Sequence, residues 1–317
     1  MRAIILEQFG DINVLQEKEM EKPVPKEGEV LVNIHAAGIN PVDWKIRKGL
    51  LQSRVPHIFP IIPGWDMAGT VVDRGHAARR FEIGEAVFAY ARRPVIQEGC
   101  YAEFISLPEA YLAKKPERMS FEEAASIPLA CLTAYQSLFS ACKLKESESL
   151  LVIGASGGVG SFAIQLAKYK GAKVIAVCSK KNHSYVKQLG ADICIDYIEE
   201  DFLEGFKREC PNGVDVIFDC VGGETQLKSF SCVRPKTRYV SILAFQKPIE
   251  DLNKGDSKYH YVFVEPNAKQ LEEIANIIDE GALKTEVSAR FNFSEVDKAH
   301  RQAETLHTRG KIILVNT

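Results

Sequence analysis

The residues best suited to chemistry in this chain form a glycine turn, Gly154-Ala155-Ser156-Gly157-Gly158-Val159-Gly160. An apolar run, Leu150–Ile153, leads into it, and a helical pattern from Phe162 leads out. A dinucleotide fold needs this arrangement. Gly157 lets the backbone approach a pyrophosphate, and Gly160 lets the helix pack on the strand. The helix N-terminus then offers unpaired N–H groups and a positive dipole end to the phosphates. Ala155 stands where the usual fingerprint has its first glycine. A tight strand-to-helix turn with no ligand is the alternative, and the strand–turn–helix context favours the cofactor. Ala155, Ser156, Gly157, Gly158, Val159 and Gly160 are therefore expected cofactor contacts.

The following strand selects the cofactor. It ends at Val177-Cys178-Ser179, where an NAD enzyme normally places an acid for the ribose hydroxyls. No Asp or Glu occurs from Ser161 to Ala191; Ser179, Lys180, Lys181 and Asn182 stand there instead. Cations and hydroxyls hold a 2′-phosphate that an acid would repel. NADPH is expected over NADH, with Ser179, Lys180 and Asn182 as contacts. A solvated helix start explains each lysine singly, but not the missing carboxylate.

These residues need a scaffold of two domains, which suits 317 residues. Residues 1–124 carry short alternating runs such as Val30–Ala36 and Ala86–Ala91, broken by Pro and Gly, and predict a β-rich domain. From residue 125 to 264, continuous Val/Ile runs alternate with helical patterns at 158–170, 182–189, 200–209 and 224–232. This predicts a doubly wound parallel sheet. The tail, 265–317, is too short to fold alone and is expected to return to the first domain. The net charge of -2 gives no footprint for nucleic acid. No apolar stretch approaches a membrane span, and the run after Met1 stops at Glu7, so a strand and a cytoplasmic protein are expected. The eight cysteines have no Cys-x-x-Cys pair and are read as buried thiols.

Further motifs carry a family resemblance: Ala37-Gly38-Ile39-Asn40-Pro41-Val42-Asp43, Pro63-Gly64-Trp65-Asp66-Met67-Ala68-Gly69, Leu132-Thr133-Ala134-Tyr135, Asp219-Cys220-Val221-Gly222-Gly223 and Arg309-Gly310-Lys311. With the glycine turn, they make the chain resemble the medium-chain dehydrogenase/reductase superfamily, in its quinone oxidoreductase branch. The resemblance implies an α/β chain: a GroES-like β-rich catalytic domain plus a Rossmann domain with a doubly wound parallel sheet. It also implies a homodimer, for which an edge strand near Tyr259–Val264 would serve.

In zinc-dependent relatives a Cys matches Asn40, a His-Glu pair matches Trp65-Asp66, and the third ligand position falls on Leu129. Asp66 alone offers a ligand here, and one carboxylate does not make a zinc site, so no metal is expected. Without a Lewis acid, a small substrate must accept hydride by its own electronics, as quinones and electron-poor carbonyls do. A C=C reductase of enals, enones or enoyl thioesters is the second enzyme reading. A nucleotide-binding redox sensor without turnover is the third.

The resemblance also assigns roles. Asn40 is implied to lie beside the nicotinamide, as the one catalytic candidate. Thr133, Tyr197, Cys220, Val221, Leu243, Phe245 and Lys311 are implied on the cofactor side. Asp43 is expected to cap the helix through Arg47, and Asp66 to be a buried acceptor. The branch often has a Tyr after the Arg-x-Gly that follows Asn-Pro-x-Asp. Here Leu50-Leu51 follows Arg47-Lys48-Gly49, so that hydroxyl is lost.

Overall fold

The computed structural model describes residues 1–252 and 255–316. The chain divides into two compact units, Met1–Leu132 with Glu265–Thr317, and Thr133–Val264.

The first unit opens on the short pair β1 (Arg2–Ile5) and β2 (Gln16–Glu19). The long strand β3 (Glu29–Ile39) follows, then helix α1 (Pro41–Arg47) and strands β4 (Asp66–Arg74), β5 (Ala86–Tyr90), β6 (Phe104–Pro108) and β7 (Leu112–Lys114). Helices α2 (Phe121–Ala125) and α3 (Pro128–Tyr135) close this stretch. Because α2 packs on β3 and β4, the division falls at Leu132 rather than at the expected residue 124.

In the second unit, β8 (Ser149–Ile153), β9 (Lys173–Val177), β10 (Ile193–Ile195), β11 (Val216–Asp219), β12 (Arg238–Ser241) and β13 (Lys258–Tyr261) all pair in parallel. Helices α4 (Gly158–Tyr169), α5 (His183–Gln188), α6 (Phe202–Glu209) and α7 (Gly223–Ser229) separate the first five strands. The order β10-β9-β8-β11-β12-β13 reads 3-2-1-4-5-6, the dinucleotide-binding order. The strands run apolar on both faces because helices cover both. Leu151, Ile153, Ile175, Val177 and Ile217 form one side of the core.

The chain then returns to the first unit with α8 (Ala268–Asp279), β14 (Val287–Asn292), α9 (Val296–Glu304) and β15 (Lys311–Val315). β15 inserts beside β3, completing the order β14-β15-β3-β4-β5-β7, with β6 also on β3. Among the described residues no helix is long and apolar enough to cross a membrane.

Candidate active site

The phosphate cradle belongs to the second unit. β8 delivers the chain to Gly154, whose φ of 82° lies in the left-handed region that glycine tolerates. The N–H groups of Gly154 and Ala155 both donate to the Val177 carbonyl, which ties the turn to the end of β9. Gly157 is the N-cap of α4 and makes no side-chain capping bond. The first-turn N–H groups of α4 are thus left for an external acceptor. A Cβ at Gly157 would meet only the Gly154 carbonyl, at 3.5 Å, so the backbone there faces open space. At Gly160 a Cβ would come within 2.3 Å of the same carbonyl, so that glycine serves helix packing.

Asn182 knots three of the expected contacts together. Its Nδ2 donates to Ser156 Oγ at 3.1 Å and to Ser179 Oγ at 3.2 Å. Lys180 is exposed, and its ammonium bonds both carboxylate oxygens of Glu199 at 2.9 Å. That partner was not foreseen, because Glu199 lies beyond the acid-free stretch in sequence. The bridge is exposed on both sides, and such bridges contribute little, so a phosphate competes readily for the cation. Lys180→Glu is expected to raise the KM for NADPH about tenfold and to spare NADH. Equal loss for both cofactors in steady-state kinetics would refute that assignment.

Val221 also reaches the turn, its Cγ2 lying 2.8 Å from where a Gly154 Cβ would stand. Asp219 sets this up, since its Oδ1 accepts from the N–H groups of Val221 and Gly222, both at 2.9 Å. Its Oδ2 accepts from Gln226 and Ser241. Cys220 lies beside Val221, and Leu243 packs where a side chain at Gly222 would go. Phe245 stands apart. Its ring joins an aromatic cluster with Phe230, Tyr239 and Tyr259. Tyr197 is exposed, and Thr133 is buried on α3.

A second polar group is built in the first unit by strand register. Ile39 pairs with Ile312 across β3 and β15, and Gly38 pairs with Asp66 across β3 and β4. Asn40, Lys311 and Asp66 therefore arrive at one end of adjacent strands. Asn40 Nδ2 donates to Asp66 Oδ2 at 2.8 Å, and Lys311 Nζ donates to Asn40 Oδ1. The same ammonium lies 3.5 Å from Asp66 Oδ2. Leu129 donates its backbone N–H to Asp66 Oδ1 at 2.7 Å. All three side chains are buried. Burial pushes the Asp66 carboxyl up and the Lys311 ammonium down, and each opposes the shift of the other. Both Asp66 oxygens accept N–H bonds, which favours the ionised form.

Asp43 adds to this group, but not as the N-cap expected of it. Asn40 is the N-cap of α1, and Asp43 is the third helical residue. Its Oδ2 accepts from the Asn40 backbone N–H at 2.8 Å and from Tyr101 Oη at 2.9 Å, while Oδ1 has no partner among the described residues. The cap sits three residues earlier because Pro41 fits the first helical position. Burial pushes the Asp43 carboxyl up to about 7.

The zinc-ligand positions of the family do not fit a metal here. Asn40 presents an amide, Trp65 stacks edge-on against Tyr90, and Leu129 offers only its backbone. The single carboxylate, Asp66, already faces an ammonium that would repel a dication. Among the described residues no three His, Cys, Asp or Glu side chains form a ligand cluster.

Residues 26–117 match the model of the alcohol dehydrogenase GroES-like domain, and residues 189–314 that of the zinc-binding dehydrogenase. The second match contains none of positions 40, 65, 66 and 129. The chain belongs to the medium-chain dehydrogenase/reductase superfamily, in its quinone oxidoreductase branch. It is 33% identical over 313 residues to a chloroplast envelope quinone oxidoreductase homolog of Arabidopsis thaliana, covering 95% of this chain and 93% of the relative. It is 32% identical to an NADPH-dependent alkenal/one oxidoreductase of the same plant, covering 99% and 79%. The solved quinone oxidoreductase of Escherichia coli complexed with NADPH superimposes with a TM-score of 0.90 at 28% identity, over 99% of this chain and 100% of that one.

Proposed function

We propose that this chain is an NADPH-dependent oxidoreductase that passes hydride to quinones or related electron-poor carbonyls without zinc. The observation that carries the reading is the uncapped glycine turn joined by Asn182 to Ser156 and Ser179, with Lys180 nearby in sequence and no acid at the end of β9. That constellation fits a pyrophosphate and a 2′-phosphate. Gly157 leaves room for the pyrophosphate, Asn182 orients the two hydroxyls, and Lys180 supplies charge. The bound cofactor would supply the hydride. Asn40, held by Lys311 and Asp66, is the side chain assigned to orient the reacting groups. A quinone gains aromaticity on reduction and accepts hydride without a Lewis acid, so orientation and dryness suffice. The similarity to an alkenal/one oxidoreductase favours enals and enones as a second substrate class.

The protein is further proposed to be cytoplasmic and homodimeric. β13 ends its sheet and exposes Tyr261, which suits extension of the sheet by a second copy.

Loss of NADPH absorbance with a panel of quinones and enones tests the reading. Turnover of quinones supports it, and turnover of enones alone selects the second class. Tight NADPH binding with no turnover would leave only a nucleotide-binding sensor.

A further inference from the structure

The group formed by Asn40, Asp66 and Lys311 has donors left over. Asn40 is 2% exposed, and its Nδ2 uses one N–H on Asp66. The second N–H has no partner among the described residues. Lys311 is 5% exposed, and its three N–H groups face one bond to Asn40 and one ion pair at 3.5 Å. The third N–H is likewise without a partner among the described residues. Two buried donors left unused in touching side chains are costly unless something accepts from them. The amide cannot flip to avoid this. A lysine only donates and a carboxylate only accepts, so Oδ1 must face Lys311 and Nδ2 must face Asp66.

We propose that Lys311 and Asp66 are positioning residues that lock the Asn40 amide, so that its free N–H, backed by the buried ammonium, forms a donor site for an oxygen that gains negative charge during hydride transfer. The proposal rests on the reductase reading above. The electron balance is simple. Hydride brings two electrons and one proton to the quinone, leaving a hydroquinone monoanion with its charge on oxygen. A proton from water then completes the hydroquinone. Fixed donors aimed at such an oxygen are worth most in a buried site, where they need no reorganisation. Asp66 favours the charged form of Lys311 against its burial, and Lys311 polarises the amide.

A buried ion pair that merely held the fold could be replaced by a neutral pair with little loss. The double variant Asp66→Asn/Lys311→Met therefore separates the two roles. It is expected to keep the melting temperature and the NADPH dissociation constant near wild type. Its kcat for quinone should fall about 100-fold, with KM changed little. An equilibrium probe, 4-nitrophenol, carries the same test without turnover. Wild type should bind its phenolate form with shifted absorbance, and the double variant should not. Should the double variant fail to fold, Lys311→Arg is expected to keep phenolate binding and Lys311→Gln to lose it. Wild-type kcat and phenolate binding in the double variant, or equal loss in the two single variants, would overturn the proposal. Phenolate binding by wild type without quinone turnover would overturn the substrate reading and leave the donor site standing.

Discussion

Replacing Gly160 by alanine is expected to cost about 3 kcal/mol, while replacing Gly157, three positions earlier, is expected to cost about 1 kcal/mol and abolish tight NADPH binding. The two glycines share one turn but do different work. An alanine Cβ at 160 would stand 2.3 Å from the Gly154 carbonyl and 2.8 Å from Ala155 Cα. Both are backbone atoms of a turn tied to β9, so neither can yield cheaply. The better helix propensity of alanine recovers only about 1 kcal/mol of such a clash. At 157 the backbone has φ −76° and ψ 173°, which alanine adopts, and the nearest atom is at ordinary contact distance. The small cost there reflects alanine being a poorer N-cap than glycine. The added methyl instead fills the space where a pyrophosphate must approach the backbone, and NADPH affinity should fall at least about tenfold. Thermal unfolding and cofactor titration of the two variants provide the check. Unchanged NADPH affinity in Gly157→Ala would remove the turn from the binding site.

The packing role of Gly160 was readable from sequence because it acts locally, within one strand–turn–helix unit. The parallel strands were readable for a related reason. Runs such as Leu150–Ile153 and Val216–Phe218 are apolar at every position, as a sheet covered on both faces requires. What sequence could not supply was register. Lys311 and Asn40 lie 271 residues apart, and only the pairing of Ile312 with Ile39 brings them together. A slip of one residue would turn every such side chain to the other face. The resemblance put Lys311 with the cofactor contacts, and the structure joins it to Asn40 and Asp66. Glu199 beside Lys180, and Phe245 within the aromatic cluster, were hidden in the same way. Asp219 did carry a local signal: an Asp immediately before Cys-Val-Gly-Gly commonly accepts from the N–H groups of its own turn.

Between pH 6.5 and 4.5, His300→Gln and Asp43→Asn are expected to tilt the stability of the protein in opposite directions, each by about 3 kcal/mol. His300 is buried on α9, beside a fully buried Arg47 that is paired with Glu304 at 2.5 Å. Arg47 Nη1 lies 3.4 Å from His300 Nδ1, which must therefore accept, and the Nε2–H has no partner among the described residues. Burial first, and then the Arg47 charge, hold the imidazole down at about 3. The unfolded chain takes up this proton near pH 6.5 and the folded chain does not. His300 therefore removes stability as pH falls from 6.5 toward 3. Asp43 behaves in the opposite sense. Its folded carboxyl holds a proton up to about 7, whereas the unfolded one releases it near 4. Its contribution is present at low pH and lost as pH rises toward 7. In the wild type the two nearly cancel, leaving a shallow profile over this window. His300→Gln leaves Asp43 alone, so that variant gains stability on acidification. Asp43→Asn leaves His300 alone, so that variant loses it. Below about pH 4.5 Glu304 adds a further loss in every version that retains it. Burial works against its charge, but hydrogen bonds from Lys48 and Arg47 hold its carboxyl below the usual range. Urea unfolding of wild type and both variants at pH 6.5 and 4.5 measures each slope. Parallel profiles for the three proteins would show that neither group is held away from its ordinary protonation by the fold.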